Sequence, residues 1–300
     1  MDKITIRVPA TTANLGPGFD CLGMALELYN TVEVEPAPRF DLAVTGEGEG
    51  SLSRGEDNLV CQAMARLCSE GGSSLPPVRI LCRNSVPLGS GLGSSSAAIV
   101  GGLLAANAML GDRAPQSELL HIATAMEGHP DNVAPAILGG CQIVVLGDGR
   151  LVTSAIPLPP GLRVALFIPS FQMPTKEARA ILSPSVTRKD AVFNIGRTAL
   201  LVNALQTGRL DLLKVATQDR LHQPQRLSIF PAMNAIIEAA LEAGALGAFL
   251  SGAGPTVAAF VTNSGESVAK TMEEAARVKN VTGRSLVVRP ALRGAHRVEE

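Results

Sequence analysis

Hydrophobic and polar positions change period several times along the chain, and each change predicts an element. Over residues 4–8, Ile4, Ile6 and Val8 alternate with Thr5 and Arg7, the two-residue period of a half-buried strand. Residues 25–35 and 40–44 continue in strand-compatible patterns. The spacing predicts a helix over 58–69, a strand over 78–83, and helices over 95–110 and 117–127. In the last of these Leu119, Leu120, Ala123 and Met126 share a face, and Ser117 stands at the cap position. Residues 142–146 and 151–156 read as a hairpin across Gly147-Asp-Gly149. The proline-rich break Ile156-Pro-Leu-Pro-Pro-Gly161 then divides the chain into expected domains at 1–156 and 161–300. Beyond it come a strand at 163–168, a short helix at 175–182, and helices at 190–206, 210–217 and 234–242. Strands at 248–251 and 256–261, a helix at 264–278 and a strand at 284–288 complete the pattern. Strands and helices mix without strict βαβ alternation, so the class is α+β.

Composition narrows the function. The hydrophobic fraction is 46% but aromatics are 3% and tryptophan is absent, so the core is expected to be built from Ala, Val, Leu and Ile. A formal net charge of −1 gives no basic footprint, which argues against a nucleic-acid or anionic-membrane partner. Residues 86–110, the longest uncharged stretch, are interrupted by glycines, serines and Asn107 and do not read as a membrane span. The opening Met-Asp-Lys leads into no signal-peptide core. Five cysteines without a Cys-x-x-Cys pair fit reduced thiols in a cytoplasmic protein, and four scattered histidines predict no structural zinc site.

The candidate chemistry begins at Pro87-Leu-Gly-Ser-Gly-Leu-Gly-Ser-Ser-Ser-Ala-Ala98, a loop that feeds an apolar, alanine-rich helix. Gly89, Gly91 and Gly93 admit positive φ and close backbone approach, so successive N–H groups can turn onto an anion. Ser94, Ser95 and Ser96 are expected to supply a cap and hydroxyls where the helix dipole favours negative charge. The loop lacks the lysine of a Walker P-loop and the spacing of a dinucleotide fingerprint, and the protein-kinase signature set is absent. On its residues alone it reads as a phosphate cradle or as a flexible cap on a buried helix.

Two further glycine-proline segments decide between these readings: Val8-Pro-Ala-Thr-Thr-Ala-Asn14-Leu-Gly-Pro-Gly-Phe-Asp20 near the start and Ser251-Gly-Ala-Gly-Pro-Thr256 near the end. With the serine loop, Glu127-Gly-His-Pro-Asp-Asn-Val-Ala-Pro135 and Thr175-Lys-Glu-Ala-Arg-Ala-Ile-Leu182, they make five segments in one order across nearly the whole chain. Together they resemble the GHMP kinases, small-molecule ATP phosphotransferases. The resemblance implies a ribosomal-protein-like N-terminal domain and a ferredoxin-like C-terminal domain with the site between them. It also implies ATP and Mg2+ as cofactors and a homodimer. Three segments look like the members that phosphorylate L-homoserine; alternatives are another small alcohol, or a non-catalytic ATP or amino-acid sensor.

Roles follow by that resemblance. ATP would lie along Pro87, Leu88, Gly89, Ser90, Gly91, Leu92, Gly93, Ser94, Ser95, Ser96 and Ala97, with Asn58 near the adenine, although Asn58 is equally an N-cap for the helix it precedes. Ser95 and Glu127 match the magnesium positions, and hard oxygen donors suit that ion. A carboxylate at a helix C-terminus opposes the macrodipole, which a ligand role for Glu127 would explain. Asn14, Asp20, His129, Asn132, Thr175, Arg179, Arg226 and Gly252 match the substrate end. Thr175 and Arg179, four residues apart, share a helix face. Taken singly each arginine reads as a solvated surface charge; aligned with an amino-acid-specific family, Arg179 and Arg226 become carboxylate binders. Asp131 is either the base that takes the hydroxyl proton or a helix cap, with Asn132 facing the substrate in the second case.

Overall fold

The computed structural model describes residues 3–298. In the first half β1 (Ile4–Ala13), β2 (Leu22–Pro36) and β3 (Asp41–Gly46) are followed by α1 (Leu59–Glu70) and β4 (Val78–Asn84). Next come α2 (Ser94–Met109), α3 (Gln116–Glu127), α4 (Val133–Leu138), β5 (Cys141–Gly147) and β6 (Arg150–Ile156). The second half holds β7 (Arg163–Pro169), α5 (Thr175–Ala180), α6 (Arg188–Thr207), a 3-10 turn at Leu210–Leu212, α7 (Leu213–Ala216), α8 (Gln223–Arg226) and α9 (Met233–Glu242). It ends with β8 (Gly247–Leu250), β9 (Val257–Val261), α10 (Gly265–Val278), β10 (Gly283–Val288) and β11 (His296–Arg297).

Two sheets result. The larger runs β11-β1-β2-β4-β3, with β5 and β6 attached through β2, and among the described residues only β3 and β4 pair in parallel. The smaller runs β10-β7-β9-β8, antiparallel throughout. Its chain order, strand, helices, two strands, helix, strand, together with that spatial order is the ferredoxin-like arrangement that the family resemblance implies. Residues 296–297, which the division at 156–161 gives to the second domain, pair with β1 in the first sheet. Ala291 and Arg289 also bond to Ala25 and Glu27 of β2. The last segment of chain therefore ties the two halves together.

The elements form where the periods predicted them, with instructive extensions. β1 runs five residues past its alternating part because Pro9 to Ala13 are buried on both faces, and a strand covered on both sides loses its two-residue period. A bulge between Pro9 and Ala10 resets its register against β2. The hairpin is closed by Asp148 and Gly149 alone, both at positive φ (49° and 74°). α2 is apolar on every side and accordingly buried. Its Gly101 and Gly102 let it press on Val32 and on the backbone of Val60 in α1. Two predicted caps are corrected and a third, unpredicted, is added. Pro115 rather than Ser117 precedes α3, Gly93 rather than a serine precedes α2, and Thr187 caps α6 by accepting from Asp190 N–H. All five cysteines are free thiols. Among the described residues no helix is long and apolar enough to cross a membrane.

Candidate active site

The β1–β2 turn, the serine loop, the α3–α4 junction, α5, α8 and the 251–254 loop converge on one cleft of about 380 Å3, a size suited to small ligands. Gly89, Gly91 and Gly93 all sit at positive φ (57°, 78° and 69°), the region that glycine enters without strain. A Cβ on Gly91 would collide with Ser251 O, and one on Gly93 with Thr11 Oγ1, so the loop is pressed against both other glycine-proline segments. Ser251 Oγ donates to Gly91 O at 2.6 Å, which locks the second glycine loop onto the first. The first bond inside α2 is Ala97 N–H to Gly93 O. Among the described residues no side chain caps the amides ahead of it, so they are left as donors for an anion in the cleft.

Not every loop residue faces that space. Leu88, Gly89, Ser90, Gly91, Gly93, Ser94 and Ser95 line the cleft. Leu92, Ser96 and Ala97 are buried behind its wall, and Pro87 lines a neighbouring depression, so these four support the loop. Asn58 caps α1 and also reaches the cleft. Its Oδ1 accepts from Val60 N–H as the cap of α1, its Nδ2 donates to Ser53 O, and the residue still borders the cleft.

At the end of α3, Gly128 in the left-handed region (φ 89°) stops the helix and turns the following residues into the cleft. Ser95 Oγ donates to Glu127 Oε1 at 2.6 Å, and the Glu127 side chain is 9% exposed. His129 Nδ1 pairs with Asp131 Oδ1 at 2.7 Å, while its Nε2 lies 3.9 Å from Glu127. Burial pulls the His129 pKa down, but the Asp131 hydrogen bond and charge outweigh it and the net shift is upward. Asp131 Oδ1 also accepts from Asn132 N–H, and Asn132 Oδ1 accepts from Thr11 O–H at 2.7 Å. Asp131 therefore bonds the N–H of Asn132, the residue just before α4, without capping that helix, and Asn132 is held by the opening segment.

The substrate-end residues are brought together, although not as the sequence suggests. Arg179 and Asp20 form a two-pronged ion pair at 3.0 and 2.6 Å, and the Asp20 hydrogen bonds raise the Arg179 pKa. Asp20 is not among the cleft-lining residues; it meets the cleft through Arg179. Asn14 Oδ1 accepts from Asp20 N–H and its Nδ2 donates to Gly252 O, so it braces this corner. Thr175 and Arg179 share the α5 face that lines the cleft. Arg226, which alone would read as a surface charge, is 1% exposed, and burial, reinforced by Arg179, lowers its pKa to about 10. The sequence reading missed Phe19, which lies beneath both guanidinium groups at 5.6 and 6.0 Å and stacks on His222. Its only signal was its place inside the Gly18-Phe-Asp20 turn.

An anion-ready helix end and a charged pocket sharing one cleft between these two sheets define a small-molecule phosphotransferase. Family models for the GHMP kinases N terminal domain and the GHMP kinases C terminal match residues 58–140 and 201–279. The chain belongs to the GHMP kinase family and is an ATP-dependent phosphotransferase. It is 42% identical to a homoserine kinase of Desulfitobacterium hafniense over 97% of this chain and 99% of that protein. It is 48% identical to one of Synechocystis over 87% and 86%. The solved homoserine kinase of Cytophaga hutchinsonii superposes with a TM-score of 0.90 at 30% identity, covering 99% of this chain and 98% of that one.

Proposed function

We propose that this protein transfers the γ-phosphoryl group of ATP to the side-chain hydroxyl of L-homoserine, giving O-phospho-L-homoserine and ADP in the threonine branch of amino-acid biosynthesis. On this reading it works in the cytoplasm as a homodimer. The observation that carries the proposal is that the open α2 amides share one cleft with Arg179 and Arg226, with Asp20 reached through its ion pair to Arg179. An amino acid brings one ammonium and one carboxylate. Inserted at this corner, it offers its ammonium to Asp20 and its carboxylate to Arg179 and Arg226, so each charge of the existing ion pair exchanges one partner for another. A polyol or a simple hydroxy acid leaves at least one of them unmatched.

Phosphoryl transfer then needs position and charge screening more than covalent help. The substrate oxygen forms a bond to the γ-phosphorus as the bond to the β-phosphate oxygen breaks. The α2 amides hold phosphate oxygens in line with the hydroxyl. Ser95 Oγ and Glu127 Oε1, two hard oxygens that already meet at 2.6 Å beside those amides, fit a magnesium ion. When bound, the ion neutralises phosphate charge. Asn132, fixed by Thr11, orients the hydroxyl but is no base, so the proton leaves to a phosphate oxygen or water. Asp131, already engaged by His129 and by Asn132 N–H, keeps this corner in place.

Asp131→Asn is therefore expected to lower kcat less than tenfold, against about 10²–10⁴-fold for loss of a general base. A loss of a hundredfold or more at unchanged KM and unchanged Tm would assign the base to Asp131. The proposal as a whole is tested by ADP release over a panel of homoserine, mevalonate, galactose and shikimate. Homoserine is expected to be turned over far better than the rest. Preference for any other alcohol would reassign the substrate.

A further inference from the structure

We infer that His222 is a positioning residue that aims Arg226 at the substrate carboxylate by offering it a neutral hydrogen-bond acceptor; the inference rests on the homoserine reading above. His222 is fully buried and is not among the residues that line the cleft. Its Nε2 lies 2.8 Å from Gly16 O and its Nδ1 2.8 Å from Arg226 Nη1. A carbonyl oxygen only accepts and a guanidinium only donates, so the proton sits on Nε2 and Nδ1 is the acceptor. Burial, which lowers the His222 pKa, favours the same neutral form.

Each partner of Arg226 removes a degree of freedom. Nε donates to Ala178 O at 3.3 Å, and Nη1 donates to Gly252 O at 2.9 Å and to His222 Nδ1. Nη2 is left without a protein partner among the described residues, on a side chain that lines the cleft. Gly16 belongs to the same turn as Asn14 and Asp20, and Asn14 Nδ2 also donates to Gly252 O. His222 thus ties the orientation of Arg226 to the turn that carries Asp20. The Phe19 ring stacked on the imidazole, centroids 5.2 Å apart, holds the plane of that tie.

The acceptor has to be neutral for this to work. A carboxylate in its place would neutralise Arg226 and compete with the substrate carboxylate. The one carboxylate on this segment, Asp219, is kept off: Oδ1 accepts from Asn194 Nδ2 and Leu221 N–H, and Oδ2 from the N–H groups of His222 and Gln223. Its nearest approach to the imidazole is 3.7 Å. Asp219 folds the segment while His222 sets the arginine, and the positive charge stays available to the ligand.

The test compares three variants of the full-length protein. His222→Asn keeps an acceptor at the Nδ1 position, His222→Leu fills the space without one, and His222→Gln reaches toward Gly16 without serving Arg226. The homoserine KM is expected to rise about tenfold or more in the Leu and Gln variants and to stay within about threefold in Asn, with the ATP KM unchanged in all. Tm should not follow that order, since Asn and Leu both lose the Gly16 bond. Equal homoserine KM values for Asn and Gln, or for Asn and Leu, or a KM order that tracks Tm, would overturn the positioning role. Absence of homoserine turnover by the unaltered protein would instead overturn the functional reading.

Discussion

Glu127→Ala is expected to lower kcat by at least about a hundredfold, the scale set by removing one group that stabilises transferring charge, while leaving the protein folded. The reasoning starts at the end of α3. There the carboxylate works against the helix dipole, which weakens rather than supports the helix, so its removal should not lower Tm. What it does make is the 2.6 Å contact with Ser95 Oγ, directly beside the open amides of α2. Alanine takes that carboxylate away from Ser95, and the phosphate charge loses its screening there. Steady-state ADP release at saturating magnesium, with a thermal melt on the same sample, checks both halves of the expectation. Near-normal turnover of a folded variant would remove Glu127 from the site.

Arg179→Ala acts on the other substrate. A charge-assisted hydrogen bond contributes about 1.5–3 kcal/mol, and because the Arg179 side chain is 34% exposed the lower end applies. That corresponds to a homoserine KM raised about tenfold or somewhat more, with the ATP KM unaltered. In the absence of substrate the variant loses the part-exposed Asp20 pair and a distant contact with the Phe19 ring, so its stability should fall by no more than about 1 kcal/mol. Determining both KM values separates this role from a structural one. If the two constants move together, or neither moves, Arg179 is not part of the substrate pocket.

Much of the fold was readable because its signals are local. Period, turn residues and the proline-rich break depend on neighbouring positions, and the hairpin at residues 141–156 and the helices α1, α3, α9 and α10 appear where those signals lie. What was not readable depends on distant contacts. β11 is two residues long and exists only because β1 is there to pair with it. α4 and α8 are short and open on Asn-Val-Ala-Pro and Gln-Pro-Gln, where prolines mask a helical period.

The site divides in the same way. The glycine loop was legible because positive φ at alternate residues is a property of glycine itself. The burial of Arg226 was not, since it arises from Ala178, His222 and Gly252, residues 48, 4 and 26 positions away. Nor could the sequence separate Asp131 from Asn132, which are adjacent and both buried. The structure gives them different partners, His129 and Thr11.

The most direct test of the central claim is the phosphorus NMR spectrum of the products formed from ATP, magnesium and L-homoserine. A new phosphomonoester signal, coupled to the side-chain methylene next to oxygen and growing in step with ADP, is the result expected. Formation of ADP with inorganic phosphate alone, or no homoserine-dependent change in the spectrum, would contradict it.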